Sequence, residues 1–409
     1  MIKHTLIITS LSSLLLVQGC KEVLTDWETF QGNNLHTGYV EINLEAADFN
    51  PLWQWERPNK SEGVTPYINP AIIVNGIVYI SEDDYHSEAK IHALSEADGS
   101  TLWTHDFGSI AQVNQPAVSD GKVFVTTSGH EDTYMWVLDA TTGSVLARTP
   151  FNTQWPQYLS PTVYDGIAYA NTGYYGGQIS AFDIDGNSVW ESASYGDNDM
   201  FTPAVDSAGI YQYSGTELNV LNPIDGSLVQ TIADPDPDGT GYEHIGATIR
   251  GTLNNVISFS GDNFSGQASS STEGFFARRL ISFNLTNETV SWKSESQYLT
   301  HPALAEGEVF AATNNPLRLE SLSEASGELV WNWVPKNSAV SSFHRNIIAT
   351  KTLIFVSSNV GIHAISRSNH NEEWFYPVPG ALSLSAEKIL YITEGFRQSN
   401  GTLHAISLK

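Results

Sequence analysis

The chain has 409 residues, of which 45 are Asp or Glu and 19 are Lys or Arg, and its formal net charge is -26 at pH 7. Binding to nucleic-acid phosphates depends on clustered Lys and Arg, so this balance excludes nucleic-acid partners. Hydrophobic residues make up 41% of the chain, charged residues make up 16%, and Gly is abundant with 32 copies. This composition is typical of a turn-rich all-β protein and excludes a disordered chain.

The amino terminus has the pattern of a secretory signal peptide. Lys3 precedes an apolar stretch, Thr5 to Val17, that is too short to span a bilayer. The sequence Val17-Gln18-Gly19-Cys20 follows, and it resembles the lipobox of bacterial lipoproteins, in which the cysteine is acylated and becomes the first residue. We expect residues 1–19 to be removed and Cys20 to carry a lipid anchor. The alternative is an ordinary signal peptide with an incidental cysteine.

The residue after this cysteine bears on localisation. Lys21, rather than Asp, resembles lipoproteins that are sorted to the outer membrane, so we expect a lipid-anchored protein there, on the periplasmic side. The acidic body would contact the membrane through this anchor only, because it repels anionic headgroups. Cys20 is the single cysteine of the chain, so its acylation leaves no thiol for a disulfide, a zinc site or a nucleophile.

An internal repeat of about 45 residues fills the rest of the chain. Its first half reads Pro-Ala-Val/Ile, Asp/Asn-Gly and an alternating apolar run, as in Pro70 to Ile80 and in Pro116 to Val125. Alternating apolar runs around a Gly-containing turn predict a β-hairpin. The second half reads apolar-x-Ala-Leu/Phe, a turn with Asp-Gly or Thr-Gly, and a strand that ends in Trp. The unit therefore holds four short strands, which make one propeller blade.

Tryptophan recurs at a fixed place in this unit, four residues after the turn. Six of the eight repeats carry it there, at Trp53, Trp103, Trp190, Trp292, Trp331 and Trp374, and the other two carry Ala147 and Gln230. We expect each ring to pack between neighbouring blades, where an aromatic side chain buries about 150–250 Å².

The two ends of the repeat region complement each other. Leu403 to Ser407 reads as a third strand with no fourth strand after it, and Leu52 to Glu56 reads as a fourth strand with no third before it. Their pairing would leave no open sheet edge. The sequence therefore predicts an eight-bladed β-propeller of four-stranded antiparallel blades over residues 51–409, closed by the N- and C-terminal strands. Residues 20–50 are assigned to a lipidated tether and lead-in.

The Asp/Thr-Gly-x-x-x-Trp signature in a four-stranded unit resembles the PQQ-like (quinoprotein-type) β-propeller repeat over residues 51–409. This family includes the outer-membrane assembly lipoprotein BamB, and many of its members bind no quinone. The resemblance implies a non-catalytic envelope lipoprotein that acts as a scaffold for envelope proteins. The alternatives are a propeller that binds a small ligand or a glycan in its central opening and a PQQ-dependent dehydrogenase.

The residues themselves favour a protein that is not an enzyme. We find no Ser/His/Asp, paired-carboxylate or metal-triad pattern above the repeat, and we expect a monomer without a cofactor. A quinone enzyme holds its cofactor, and usually a divalent cation, in a dry central pocket. The resemblance adds that soluble alcohol-oxidising members press adjacent cysteines against the quinone, which one cysteine cannot do. One position of the repeat is a histidine in three blades, at His92, His363 and His404. The shared repeat position accounts for these histidines, so they do not indicate a catalytic or metal site.

Two motifs stand apart from the repeat. Asp234, Asp236 and Asp238 alternate before a glycine, as in calcium loops, although Ile245 replaces the expected bidentate Glu. The alternative is an acidic connection between blades.

The second motif is Phe275-Phe276-Ala277-Arg278-Arg279, a basic doublet beside aromatics of the kind that binding hot spots use. We assign Phe275, Phe276, Arg278 and Arg279 to a partner site; the alternative is a strand whose arginines balance nearby acids.

The segment Gly32 to Gly38 is rich in glycine and asparagine. It resembles a lead-in segment of PQQ-like repeat proteins, and the sequence assigns it no role.

Overall fold

The computed structural model describes residues 26–58, 67–82, 87–129, 133–151, 160–172, 177–195, 202–238, 247–261, 277–395 and 400–409. These residues form eight sheets whose blades are antiparallel, arranged in a ring as a propeller. The predicted all-β, eight-bladed architecture is confirmed. The helices of the described residues are two short 3₁₀ segments, Phe30–Gly32 and Ala46–Asp48.

The strands follow the chain blade by blade. Ahead of the first blade lie β1 (Tyr39–Val40) and β2 (Asn50–Glu56). Blade 1 contains β3 (Ile72–Val74), β4 (Ile77–Ser81), β5 (Ser87–Ser95) and β6 (Thr101–Ile110). Blade 2 contains β7 (Gln112–Val113), β8 (Ala117–Ser119), β9 (Lys122–Ser128), β10 (Tyr134–Asp139) and β11 (Val145–Pro150), with both β7 and β8 paired to β9. Blade 3 contains β12 (Thr162–Tyr164), β13 (Ile167–Asn171), β14 (Ile179–Asp183) and β15 (Ser188–Glu191). Blade 4 contains β16 (Ala204–Asp206), β17 (Gly209–Tyr213), β18 (Glu217–Leu221) and β19 (Leu228–Ala233).

The second half of the ring repeats the same order. Blade 5 contains β20 (Ile249–Arg250), β21 (Asn255–Phe259), β22 (Arg278–Asn284) and β23 (Thr289–Tyr298). Blade 6 contains β24 (Ala303–Ala305), β25 (Glu308–Asn314), β26 (Leu317–Ser323) and β27 (Leu329–Trp333). Blade 7 contains β28 (Phe343–Thr350), β29 (Leu353–Ser358), β30 (Gly361–Ser366) and β31 (Glu372–Tyr376). Blade 8 contains β32 (Gly380–Leu384), β33 (Ile389–Glu394) and β34 (Thr402–Ser407), and β2 completes it.

The ring closes between the two ends of the chain, as predicted. β2 pairs antiparallel with β34, and Trp53 lies opposite Ala405 while Trp55 lies opposite Leu403. Blade 8 is therefore built from both termini, and its pairing holds the ring shut.

Antiparallel alternation gives the ring two different faces. Turns between the first and second strands of a blade lie on the same face as turns between its third and fourth strands. In blade 1 the N–H of Glu96, after the third strand, donates to Gly76 O in the first turn at 2.9 Å. We call this side the turn face, and the opposite side, with the connections between blades, the loop face. The turn at Asn75 and Gly76 has φ of +53° and +75°, which a type I′ hairpin turn requires.

The hydrophobic core is divided into layers between neighbouring blades. One layer joins Tyr169 and Ile179 of blade 3 to Val205 and Leu221 of blade 4, all buried. Middle strands are mostly buried, and β29 is buried along its whole length, whereas the outermost strands carry exposed residues, as in β27. Each blade thus buries its two faces against its neighbours.

The repeat tryptophans lie at the outer ends of these layers. The Trp103 ring covers Gly143 in the turn of the next blade, where an added Cβ would approach the ring to 2.5 Å. Trp103 Nε1 donates to Ala140 O at 3.0 Å. The same covering recurs for Trp53 on Gly99, Trp190 on Gly226 and Trp292 on Gly327. Trp331 stacks instead on His370, with ring centroids 4.3 Å apart, and Trp374 packs against Phe49.

The two repeats without tryptophan keep parts of this contact. Gln230 Nε2 donates to Leu285 O at 3.1 Å, a carbonyl in the place that Ala140 O has for Trp103. Ala147 lies against Gly186, where an added Cβ would come within 2.8 Å of the Ala147 Cβ. Where the indole is missing, blade 4 thus keeps the hydrogen bond to the next blade, and blade 2 keeps the close approach to the turn glycine.

Candidate functional site

The central axis of the ring is occupied by the chain itself. Residues 26–44, which we call the axial segment, precede the first blade and run between the innermost strands. Trp27, 2% exposed, pairs with Ile73 of β3 through hydrogen bonds in both directions at 2.9 and 3.0 Å. At the other end, β1 adds a parallel strand to β28 of blade 7. The axial segment therefore enters along blade 1 and leaves along blade 7.

Hydrogen bonds join the axial segment to every blade. The contacts are Trp27 with Ile73 in blade 1, Glu28 O with Val118 N in blade 2, Thr29 Oγ1 with Pro161 O in blade 3, Asn34 Nδ2 with Val205 O in blade 4, Leu35 O with Arg250 N in blade 5, Thr37 O with Leu304 N in blade 6, Gly38 O with Ala349 N in blade 7, and Asn43 O with Lys388 Nζ in blade 8. A segment that has no role assigned from the sequence thus connects all eight repeats. The part of the predicted tether and lead-in from residue 26 onward belongs to the propeller.

A buried amide joins the axial segment to blades 6 and 7. Gln31 Nε2 donates to Pro302 O at 2.9 Å and to Ile347 O at 3.3 Å. Gln31 Oε1 accepts from Asn346 Nδ2 at 2.9 Å. Asn346 in turn donates to Leu382 O of blade 8 at 2.9 Å. Because each polar atom of Gln31 has a partner, the amide is buried without the cost of lost hydrogen bonds.

Two histidines surround Phe30 at the turning point of the axial segment. The Phe30 ring lies 5.5 Å from the His36 ring and 4.8 Å from the His301 ring, both edge to face. His36 Nδ1 lies 3.1 Å from Thr248 O, and its Nε2 lies 3.1 Å from Thr162 Oγ1. Burial lowers the pKa of His36 to about 4 and the pKa of His301 to about 3. Both rings are therefore neutral at physiological pH and serve the packing of the axis.

The packing around Gly38 leaves no room for an added methyl group at the level of the inner strands. An added Cβ would lie 2.8 Å from Gln31 Nε2, 2.9 Å from Ile347 O and 3.1 Å from Ala303 Cβ. Such distances are shorter than ordinary van der Waals contacts, so even a methyl group is not accommodated. A quinone ring placed at this position would overlap Gln31 and Ile347.

We expect Gly38→Ala to lower the free energy of unfolding by about 2–4 kcal/mol. Gly38 has φ of +61°, which disfavours a Cβ, and its neighbours include a backbone oxygen that cannot move aside easily. Urea unfolding measures the change. The matched control is Gly166→Ala, because Gly166 has φ of +75° and nothing within 4 Å of an added Cβ. Equal losses in the two variants would mean that the axis is loosely packed.

The three aspartates of the acidic motif lie on the loop face and contact two cations. Asp234, whose side chain is fully buried, binds Lys293 Nζ at 2.5 Å. Asp238 accepts from Arg279 Nε at 2.7 Å, and Asp236 binds Arg279 Nη2 at 3.1 Å. Hydrogen bonds and charge from Arg279 lower the pKa of Asp238 despite its burial. The arrangement matches the alternative of an acidic connection, and among the described residues no group of three His, Cys, Asp or Glu side chains is placed to hold a metal.

The calcium site stays a prediction, and a titration tests it. Because Lys293 and Arg279 already neutralise these aspartates, we expect millimolar calcium to leave the melting temperature unchanged. Magnesium at the same concentration controls for ionic strength. A rise in melting temperature with calcium alone would show that the cation replaces these ion pairs.

The structure describes half of the predicted partner site. Arg279 binds Asp236 and Asp238, as the alternative interpretation expected, and Arg278 is 7% exposed at the start of β22. Phe275, Phe276 and Cys20 lie outside the described residues. The three repeat histidines each contact an acid of their own blade: His92 contacts Glu82, His363 contacts Glu372 and His404 contacts Glu394.

Comparison with known proteins agrees with this geometry. The sequence profile of the family described as "Outer membrane protein assembly factor BamB" matches residues 87–332 and 265–407. The chain belongs to this PQQ-like, BamB-type propeller family. No curated protein matches its sequence.

Solved structures share the fold of this BamB-type chain at low identity. BamB from Moraxella catarrhalis is 14% identical with a TM-score of 0.63, and the match covers 88% of this chain and 99% of that one. A europium-containing methanol dehydrogenase is 12% identical with a TM-score of 0.65, over 94% and 98% of the two chains. The quinohemoprotein alcohol dehydrogenase ADHIIG from Pseudomonas putida HK5 is 13% identical with a TM-score of 0.62, over 94% and 80%. At these identities the likeness extends to the fold alone.

Within the described ranges, no helix has the length and apolar character needed to cross a bilayer.

Proposed function

We propose that this protein is a non-catalytic scaffold of the cell envelope. Cys20 anchors it to the outer membrane on the periplasmic side, and its propeller binds envelope proteins in outer-membrane protein assembly or a related role. The observation that supports this proposal is the axial segment, which fills the central pocket with hydrogen-bonded chain. A family member that oxidises substrates through a quinone needs that pocket for its cofactor.

The family supports the envelope location. Its profile carries the description of an outer-membrane assembly factor, and BamB from Moraxella catarrhalis shares the fold. The same filled axis weighs against a small ligand or glycan bound in the central opening at the level of the inner strands. The loops and faces of the ring are then the surfaces that a partner contacts.

Reconstitution distinguishes the scaffold from an enzyme. The purified protein is mixed with PQQ and calcium, and unbound quinone is removed by gel filtration. We expect no quinone absorbance in the protein fraction and no alcohol-dependent reduction of a dye. Stoichiometric quinone together with dye reduction would overturn the scaffold proposal.

Crosslinking in intact envelopes tests the scaffold role directly. A photoreactive residue replaces Ser338, which is exposed on the loop face between blades 6 and 7. We expect adducts with specific components of outer-membrane protein assembly, and loss of these adducts in cells that carry Cys20→Ser, because the released protein leaves the membrane. Adducts with abundant periplasmic proteins alone, unchanged by Cys20→Ser, would contradict the proposed role.

A further inference from the structure

The point where the chain enters the ring lies on the turn face. Asp26 Oδ2 accepts a hydrogen bond of 2.8 Å from the N–H of Asn75, which belongs to the first turn of blade 1. Two residues on, the N–H of Val118 in β8 of blade 2 donates to Glu28 O at 2.9 Å, and desolvation together with the nearby carboxylates of Asp26 and Asp120 raises the pKa of Glu28. Residue 26 is thus placed among the turns of blades 1 and 2, close to the axis.

The chain before this point has a limited reach. Six residue steps separate Cys20 from Asp26. A fully extended chain of this length spans at most about 22 Å. A lipid on Cys20 therefore keeps the entry point on the turn face within about 22 Å of the membrane surface.

The loop face is too far away for this tether. The direct path along the axis is filled by the axial segment. The path around the rim crosses four strands, which takes about 14 Å, and then follows the height of a blade. β28 alone has eight residues, which correspond to about 26 Å. The sum, about 40 Å, is nearly twice the reach of the tether.

From this geometry we propose that the turn face of the propeller lies against the membrane and that the loop face points away from it. The inference rests on the lipid anchor of the proposed function. It adds a lipid surface as a partner of the turn face, beyond the anchor that the sequence predicts as the membrane contact, and it leaves the loop face to partner proteins.

Exposed apolar side chains are concentrated on the side of the ring that this orientation places near lipid. Of thirteen exposed large apolar residues in the described ranges, eleven lie in turn-face turns or in the first three residues of an outermost strand. They are Leu52, Leu102, Val145, Leu146, Val189, Ile224, Leu228, Val229, Leu253, Leu329 and Val330. Contact with the lipid interface removes part of this area from water.

The charges of the turn face determine which lipid it tolerates. Asp98 and Asp225 are fully exposed in turns between third and fourth strands, and hydrogen bonds from Ser100 and Ser227 lower the pKa of each. These carboxylates stay ionised near the membrane and repel anionic headgroups. The turn face therefore fits a zwitterionic lipid surface better than an anionic one.

Single cysteines measure this orientation, because acylation of Cys20 leaves no other thiol. Ser326→Cys and Ser100→Cys place a fluorophore on the turn face in blades 6 and 1, and Ser338→Cys places it on the loop face next to blade 6. All three serines are exposed, so a fluorophore at each position is accessible to the lipid headgroups. The lipidated protein is reconstituted into phosphatidylcholine vesicles that contain a lipid with a nitroxide on its headgroup. We expect several-fold stronger quenching at positions 326 and 100 than at 338.

The outcomes separate the orientation from the anchor. Equal quenching at all three positions, or strongest quenching at position 338, overturns the orientation. Quenching at only one of positions 100 and 326 means that the ring lies on its side and also overturns it. Intact mass measures the acyl chains on Cys20: their absence overturns the anchor of the proposed function, whereas their presence with equal quenching overturns the orientation alone. A vesicle series with phosphatidylglycerol should reduce quenching at positions 326 and 100.

Discussion

Acidification from pH 6.5 to pH 4 should destabilise the folded protein by roughly 6 kcal/mol through two histidines at the axis. Burial lowers the pKa of His36 to about 4 and that of His301 to about 3, from an ordinary value of 6.5. Both lie against Phe30, so protonation would place charge among aromatic rings. The axial segment is thus the acid-sensitive part of the ring.

The direction of the effect follows from proton binding. Between pH 6.5 and pH 4 the unfolded chain binds protons on these histidines while the folded protein does not, so the free energy of unfolding falls as the pH falls. The stability they contribute is complete above pH 6.5. It is lost progressively down to about pH 4 for His36 and about pH 3 for His301.

Urea unfolding at a series of pH values measures this loss. In His36→Asn the decline between pH 6.5 and pH 4 should be smaller by roughly 3 kcal/mol, because Asn does not titrate there. Asn also tolerates the left-handed backbone of residue 36, which has φ of +58°. The control is His370→Asn, since His370 has a similar φ of +59° but is exposed. If the unfolding free energy of His36→Asn declined with pH as it does in the parent, His36 would not be a source of the acid sensitivity.

Replacing Trp292 with alanine should cost about 3–5 kcal/mol of unfolding free energy. Trp292 is 7% exposed, its ring covers Gly327 of the next blade, and its Nε1 donates to Glu324 O at 2.8 Å. The substitution removes the ring and its hydrogen bond from the boundary between blades 5 and 6. The unfolding midpoint in urea reports the loss.

A second substitution separates the two contributions. Trp292→Gln should recover about 0.5–1.5 kcal/mol of the alanine loss, because glutamine can donate to the same carbonyl. Gln230 of blade 4 makes the equivalent bond to Leu285 O of blade 5. If Trp292→Ala unfolded at the urea concentration of the parent, the tryptophan would not stabilise the boundary between blades.

The architecture could be predicted because its signals are local and repeated. Each turn, such as Asp120-Gly121 with φ of +49° and +73°, is specified by neighbouring residues. The incomplete strand sets at the two ends identified the pairing of β2 with β34. A repeat unit cannot bury its apolar faces alone, so the number of units determines the number of blades.

The axial segment could not be predicted, since its partners lie far away in sequence. Gln31 bonds to Ile347 O, 316 residues later, and His36 faces Thr248 O, 212 residues later. A lone Gln or His in a lead-in carries no signal of burial, because both are common in exposed segments. Gly38 was visible in the sequence, but its close approach to Ala303 and Ile347 depends on the closed ring.

The amino-acid sequence by itself determined the all-β class, the eight blades, the place of closure and the tryptophan positions, because propensity, turn chemistry and the repeat act over a few residues. Only the tertiary structure decided what occupies the centre and how the acidic motif is neutralised. Closure brings carbonyl oxygens of the inner strands to one axis, where a single polar segment can satisfy them. Folding likewise brings Lys293 to Asp234 and Arg279 to Asp238. The carboxylates of the acidic motif therefore form ion pairs within the propeller.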